Sequence, residues 1–187
     1  MILYVNACVR GCSRTDQIAR TLLQKLGEGY EEVKLAEENL EPLSEERLQK
    51  RTELTEQRRF DHPMFRLARQ FQQADVIVMA APFWDLSFPA ILKVYLENIY
   101  VVGLVTEYGG DGVPHGLCKA KKLYYVTTAG GPYVPDYSYS YLRDLAVNCF
   151  GIGETELIRA EMLDVEGFDP EKIVLDTIQK ILITENS

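Results

Sequence analysis

Residues 1–26 read MILYVNACVRGCSRTDQIARTLLQKL. Met1–Val5 is a short apolar run of the kind a buried strand makes, and ILYVN is read as the first strand. From Asp16 onward the spacing is helical. Ile18, Leu22 and Leu26 fall four apart, with Ala19 and Leu23 beside them, which gives one apolar face. Gly27 and Gly29 end that helix. Between strand and helix lies NACVRGCSRT, a polar loop with two cysteines, two arginines and two hydroxyls. A strand that passes through a short loop into an amphipathic helix is the opening of a βαβ unit.

The same alternation continues along the chain. EEVKL reads as a short second strand, ADVIVMAAP as a strongly apolar third, LYYVTTA as a fourth and ETELIRA as a fifth. Helical patterns fill Pro89 to Val101, Tyr139 to Cys149 and Pro170 to Ile183. Near-continuous apolar strands are buried on both faces, so the sheet is expected to be parallel with helices on each side. Five such strands suit the flavodoxin-like order 2-1-3-4-5 in a single domain spanning residues 1–187. Ala36 to Gln73 is acidic and then mixed in charge; it reads as a solvated helix between strands two and three, and its length also allows a lid near a ligand.

The composition narrows the function. There are 28 acidic against 20 basic residues, for a net charge of -8. That balance argues against general affinity for nucleic acid or anionic membranes, though not against one local anion site. No apolar run is long enough for a membrane span, and Met1 enters a strand without a signal peptide. Cys8, Cys12, Cys118 and Cys149 form no CxxC pair, which fits reduced thiols in the cytoplasm. His62 and His115 have no Cys or His at ligand spacing, so no metal site is expected.

Ligands of open parallel sheets bind at the carboxyl ends of the strands, at the point where the strand order reverses. The first loop lies there and runs into a helix N-terminus, with its free N–H groups and partial positive charge. Ser13 and Thr15 can donate hydroxyl hydrogen bonds, and Arg10 and Arg14 can supply charge, so a phosphate fits. Taken alone, plain helix capping by Ser13 or Thr15 is the commoner case. After strand three, APFWDLSFP sets two aromatics at a strand end, either packed under a loop or walling a flat cofactor. After strand four, TTAGGPY has two consecutive glycines, which make either a tight turn or a close backbone approach to a ligand.

VNACVRGCSRT resembles the first loop of the flavodoxin-like NAD(P)H-dependent FMN reductases, quinone reductases and azoreductases. That pattern runs Asn-Ala-Ser-Pro-Arg, a short gap, then Ser-x-Ser/Thr. Asn6, Ala7, Arg10, Ser13 and Thr15 keep it, while Cys8 replaces Ser and Val9 replaces Pro. Pro82, Phe83, Trp84, Asp85 and Leu86, followed by Leu92, Lys93 and Tyr95, resemble the azoreductase pattern Pro-Met-Tyr-Asn-Phe and its helix, with Asp85 in place of Asn. Thr128, Ala129, Gly130, Gly131 and Tyr133 fill the places of Ser-Arg-Gly-Gly and a following aromatic. Gly116, Leu117, Lys121 and Lys122 resemble the family's link into strand four.

The resemblance is strongest to the FMN-dependent NADH-azoreductase branch. It implies an FMN cofactor, NADH or NADPH as hydride donor, and a quinone, azo compound or flavin as the small-molecule electron acceptor in a ping-pong scheme. It also implies a homodimer, with the helix carrying Tyr95, Tyr100 and Val101 as candidate interface. The phosphate would lie on Cys8, Arg10, Ser13, Arg14 and Thr15, and the ring on Pro82, Phe83, Trp84 and Asp85. Thr128, Ala129, Gly130 and Gly131 would close around it, and Tyr133 would cover the ring or meet the acceptor. No side chain is assigned a catalytic proton transfer, because the flavin carries the hydride. An ionised Asp85 beside the ring would oppose a reduced, anionic flavin.

A second reading uses the same loop. Cys8 to Thr15 also spells C-x5-R-T, the signature of cysteine-based phosphatases such as the low-molecular-weight tyrosine phosphatases. It needs a Cys8 thiolate, an Arg14 clamp and an Asp general acid, for which Asp136 or Asp169 could serve. Asn6 and Ala7 intervene between strand and cysteine, unlike that family's loop, and the reading leaves PFWDL and TTAGGPY unexplained. A third reading is a flavodoxin-like module without turnover.

Overall fold

The computed structural model describes residues 1–27 and 29–183. The chain begins with β1 (Ile2–Asn6), α1 (Arg14–Leu26) and β2 (Tyr30–Lys34). It continues with α2 (Glu45–Glu56), α3 (Arg66–Gln73), β3 (Val76–Ala80) and α4 (Ala90–Ile99). Two three-residue strands follow, β4 (Thr106–Tyr108) and β5 (Pro114–Gly116). The remainder is β6 (Lys122–Thr128), α5 (Tyr137–Asp144), β7 (Glu154–Ala160) and α6 (Pro170–Ile183).

Five strands form one sheet in the order β2-β1-β3-β6-β7, every neighbouring pair parallel. β4 and β5 pair antiparallel in a separate ribbon, which the sequence pattern does not announce because each arm is three residues long. Counting only the members of the large sheet along the chain gives 2-1-3-4-5.

Alternation along each strand sends side chains to two separate cores. Leu3 and Val5 of β1, Ile77 and Met79 of β3, and Leu123 and Tyr125 of β6 pack with Phe71 of α3 and Leu92 of α4. Their alternates Ile2, Tyr4, Val78, Ala80 and Val126 pack with Ile18, Leu22 and Leu23 of α1 and Val174 and Ile181 of α6. Helices therefore cover both faces, and the sheet is the buried layer between them.

Local chemistry sets the helix ends. Ser13 caps α1, its Oγ accepting from Asp16 N–H, and Gly27 ends the helix in the left-handed region at φ 79°. α5 begins two residues before the pattern suggested because Asp136 supplies the cap. It then widens into a π-helical turn over Leu145–Phe150. Gly116 of β5 lies against the end of that turn. A Cβ there would fall 1.9 Å from the Phe150 carbonyl carbon and the Gly151 nitrogen, so only glycine allows this contact.

Two expectations change. The segment from Ala36 to Gln73 forms two helices rather than one. Arg51 Nη1 donates to Glu97 O (3.0 Å) and Arg47 Nη2 to Asn98 Oδ1 (3.3 Å), which ties α2 to the end of α4. Tyr95 and Val101, expected at a subunit interface, lie in the protomer's own core at 0% and 1% exposure. Tyr100, the third residue expected there, is partly exposed, its hydroxyl 3.1 Å from that of Tyr108.

Phe71 is fully buried and meets the Phe150 ring edge-on, centroids 5.1 Å apart, joining α3 to the π-helical turn. Phe71→Ala is expected to lower unfolding free energy by about 3–5 kcal/mol in urea melts. A loss under about 1 kcal/mol would mean that this contact does not hold α3 to the body.

Candidate functional site

The carboxyl ends of β1, β3, β6 and β7 all open at one edge of the sheet, and the loops there are joined by main-chain bonds that extend the strand pairing. Ala7 N–H donates to Ala80 O (2.8 Å), Ala81 N–H to Val126 O (3.0 Å) and Phe83 N–H to Thr128 O (2.9 Å). Ala129 N–H donates to Ala160 O (2.9 Å). Above these bonds is a cavity of about 420 Å³, within the size range of small-ligand sites.

The first loop contributes Cys8, Arg10, Ser13, Arg14 and Thr15 to its wall, with Val9 and Cys12 beside them. The third-strand loop contributes Pro82, Phe83 and Trp84, and the fourth contributes Thr128, Ala129 and Gly130. One side is thus cationic and rich in hydroxyls, and another is aromatic. Thr15 Oγ1 and Thr128 Oγ1 are 2.6 Å apart. One of them donates to the other, so one hydroxyl proton of the pair stays available to a ligand. Ser13 Oγ accepts from Asp16 N–H at the cap and is also within hydrogen-bond reach of the Cys8 thiol. The N–H groups of Arg14 and Thr15, in the first turn of α1, have no partner within the helix.

Three expected residues stand outside the cavity wall. Asp85 and Leu86 are the two central residues of a tight turn closed by Trp84 N–H to Ser87 O (2.9 Å) and Ser87 N–H to Trp84 O (2.8 Å). Both have positive φ, 49° and 66°, the form that two-residue hairpins favour. The turn carries the Asp85 carboxylate out at its tip, where it is exposed, rather than along the wall. Gly131 and Tyr133 lie beyond the cavity because the chain has already turned outward; Tyr133 is 70% exposed.

Besides Val9 and Cys12 within the first loop, two wall residues were not foreseen, Leu163 and Asp164 from the loop after β7. Their signal was positional: β7 adjoins β6, so its carboxyl end must reach the same edge.

A polar network under the first loop fixes its path. Asn6 Oδ1 accepts from Cys8 N–H (2.9 Å), while Asn6 Nδ2 donates to Asp16 Oδ1 (3.1 Å) and Glu32 Oε1 (2.9 Å). Tyr4 donates its hydroxyl to Asp16 Oδ1 (2.5 Å). Arg20 bonds Asp16 Oδ2 through Nε (3.0 Å) and both Glu32 oxygens through Nη2. Burial first, and then the Asp16 carboxylate, push the Tyr4 phenol far above its ordinary range, so it remains a donor.

The phosphatase reading meets two obstacles. Burial pushes the Cys8 thiol up to about 11, well above neutral pH, and outweighs the Ser13 hydrogen bond that favours thiolate. The two acids proposed for it serve as helix caps. Asp136 accepts from Ser140 N–H and Oγ, and Asp169 from the N–H groups of Glu171 and Lys172. A thiol reagent at about pH 8 is expected to label exposed Cys12 quickly and Cys8, 3% exposed, slowly. Mass mapping of the labelled protein reads this, and fast labelling of Cys8 would restore the thiolate reading.

Comparison with known proteins agrees with this geometry. The profile of the flavodoxin-like fold family matches residues 1–182. FMN-dependent NADH:quinone oxidoreductase 2 of Clostridium acetobutylicum is 37% identical, covering 96% of this chain and 94% of its own. The FMN-dependent NADH:quinone oxidoreductase of Coprothermobacter proteolyticus is 32% identical over the same shares. An azoreductase from Bacillus anthracis superposes with a TM-score of 0.80 at 19% identity, covering 96% of this chain and 95% of that one. An FMN-dependent NADH-azoreductase from the same species, solved with FMN, gives 0.78 at 21%, with shares of 96% and 94%. The chain belongs to the flavodoxin-like fold family alongside the FMN-dependent NADH:quinone oxidoreductases.

Proposed function

We propose that this protein binds FMN in the cavity and is an oxidoreductase that takes a hydride from NADH or NADPH and delivers two electrons to a quinone, azo compound or flavin in ping-pong order. The observation that carries the reading is the cavity's two-ended chemistry. Two guanidinium groups, the hydroxyls of Ser13 and Thr15 and a helix N-terminus stand on the β1 side, and Phe83 and Trp84 on the β3 side. A phosphate monoester joined to a flat aromatic ring has matching ends. The names of the relatives support the same assignment.

The donor set fits the phosphate. Ser13 and the Thr15–Thr128 pair offer hydroxyls, and Arg10 and Arg14 offer charge-assisted hydrogen bonds. Cys8 would contribute packing and its backbone rather than charge, since its thiol is protonated and its N–H is held by Asn6. Phe83 and Trp84 would flank the ring, with Pro82 between them and the strand. Thr128, Ala129 and Gly130 would pass beneath the chain that links ring to phosphate. Gly131, Tyr133 and Asp85, outside the cavity wall, would meet an incoming acceptor rather than the cofactor. With its carboxylate turned outward, Asp85 would not oppose a reduced flavin directly. Bound FMN would supply the hydride and electron transfer, and the protein's part is to hold it and exclude water.

A homodimer goes with this reading. With Tyr95 and Val101 committed to the core, the exposed apolar side chains beside the cavity, Trp84 and Leu86, are the surface such a pairing would use.

The test is the visible spectrum after FMN addition and desalting. Wild type is expected to retain a flavin band that NADH or NADPH bleaches. Ser13→Ala combined with Thr15→Ala is expected to weaken FMN about tenfold or more, the loss of one to two charge-assisted bonds. Cys8→Ser is expected to retain the band. A protein that stays colourless would remove the oxidoreductase reading.

A further inference from the structure

We infer that Asp164 competes with the phosphate of a phosphorylated flavin for Arg14, and so sets how firmly that cofactor is retained. The inference rests on the flavin reading above.

The side chain's position follows from backbone geometry. β7 ends at Ala160, and Met162, in the left-handed region at φ 69°, turns the chain back over the fourth-strand loop. Leu163 N–H donates to Ala129 O (3.3 Å) and Asp164 N–H to Gly130 O (2.9 Å), fastening the loop after β7 to the loop after β6. The Asp164 carboxylate then lies over the Gly130 α-carbon, where an added Cβ would stand 2.4 Å from Oδ2. Gly130 thus leaves room for this carboxylate. Oδ1 reaches Arg14 Nη1 at 3.4 Å, an ion pair that spans from the last-strand loop to the first.

Among the described residues lining the cavity, Arg10 and Arg14 are the cations and Asp164 is the carboxylate. One of the two cations a phosphate dianion would use is therefore already engaged by an anion. A phosphate on the first loop must share Arg14 or displace Asp164, and the two anions repel. Arg14 and Asp164 are 43% and 75% exposed at their side chains, so water screens the competition and the effect is modest. The opposite role, in which Asp164 accepts from hydroxyls of the chain linking ring to phosphate, predicts the opposite sign.

The experiment titrates wild type, Asp164→Asn and Asp164→Ala with FMN and with riboflavin, the same ring without phosphate, by fluorescence quenching at low and at about 1 M salt. Both variants are expected to bind FMN about fivefold more tightly at low salt, to lose most of that gain at high salt, and to bind riboflavin as wild type does. FMN affinity that is unchanged or weaker, or riboflavin affinity that moves in step with it, overturns the inference and leaves the flavin reading intact. A wild type that binds neither flavin overturns both.

Discussion

A strand buried on both faces can send its backbone hydrogen bonds only to its neighbours, and that obligation arranges the rest of this protein. β1, β3 and β6 are sheathed by helices above and below, so their amides pair laterally or go unpaired. Parallel pairing then requires each connection to cross from one end of the sheet to the other. Every functional loop consequently emerges at the carboxyl edge. The pairing does not stop where the strands stop: bonds from Ala7, Ala81, Phe83 and Ala129 continue it into the loops, and bonds from Leu163 and Asp164 fasten the loop after β7 to the loop after β6. The cavity floor thus extends the hydrogen bonding of the sheet beneath it. That is the preorganisation a ligand site needs.

The first loop needs a second restraint, because only Ala7 of its residues is paired in this way. The restraint is ionic. Asp16 and Glu32 are two carboxylates facing one guanidinium, Arg20, with Asn6 and Tyr4 donating the remaining hydrogen bonds. A partly buried cluster of this kind contributes little net stability against an apolar alternative, but its geometry is specific. Here the specificity is applied through Asn6, whose side chain bonds the carboxylates with its nitrogen and the loop backbone at Cys8 with its oxygen. The residue that keeps the loop in place is thus the last residue of the strand before it.

Much of this was legible in the sequence, and what was not had a common cause. Strong periodicity in ILYVN, IVMAAP and the α1 segment marked elements whose burial is decided by their own residues. Ser13 and Gly27 marked helix ends by local chemistry alone. The wall residues of the first, third and fourth loops followed, because a loop after a buried strand can only lie at the ligand edge. What escaped depends on contacts between distant segments. The β4–β5 ribbon has arms too short to show a period, and its Gly116 packs against Phe150, far along the chain. Tyr95 and Tyr100 look alike on a helix pattern, yet Tyr95 faces the sheet and is fully buried. Asp164 is one acid among many until the turn at Met162 brings it over Gly130.

Asp85 shows how a residue can match a pattern and still play another part. As a sequence position it falls where a ring contact is expected, and its charge looked like an obstacle to a reduced cofactor. The structure removes the obstacle through backbone conformation. A two-residue turn with both central φ values positive suits Asn, Asp and Gly, and Asp85 satisfies that preference at the first position. Leu86 does not satisfy it at the second, where a branched apolar residue in the left-handed region carries strain of about 1 kcal/mol. The two backbone bonds between Trp84 and Ser87 hold the turn against that strain. The result keeps Trp84 on the cavity wall, turns the carboxylate away from it, and leaves Leu86 exposed beside the opening. The strain at Leu86 is therefore coupled to the separation of an aromatic wall from a negative charge that sits one residue away in the sequence.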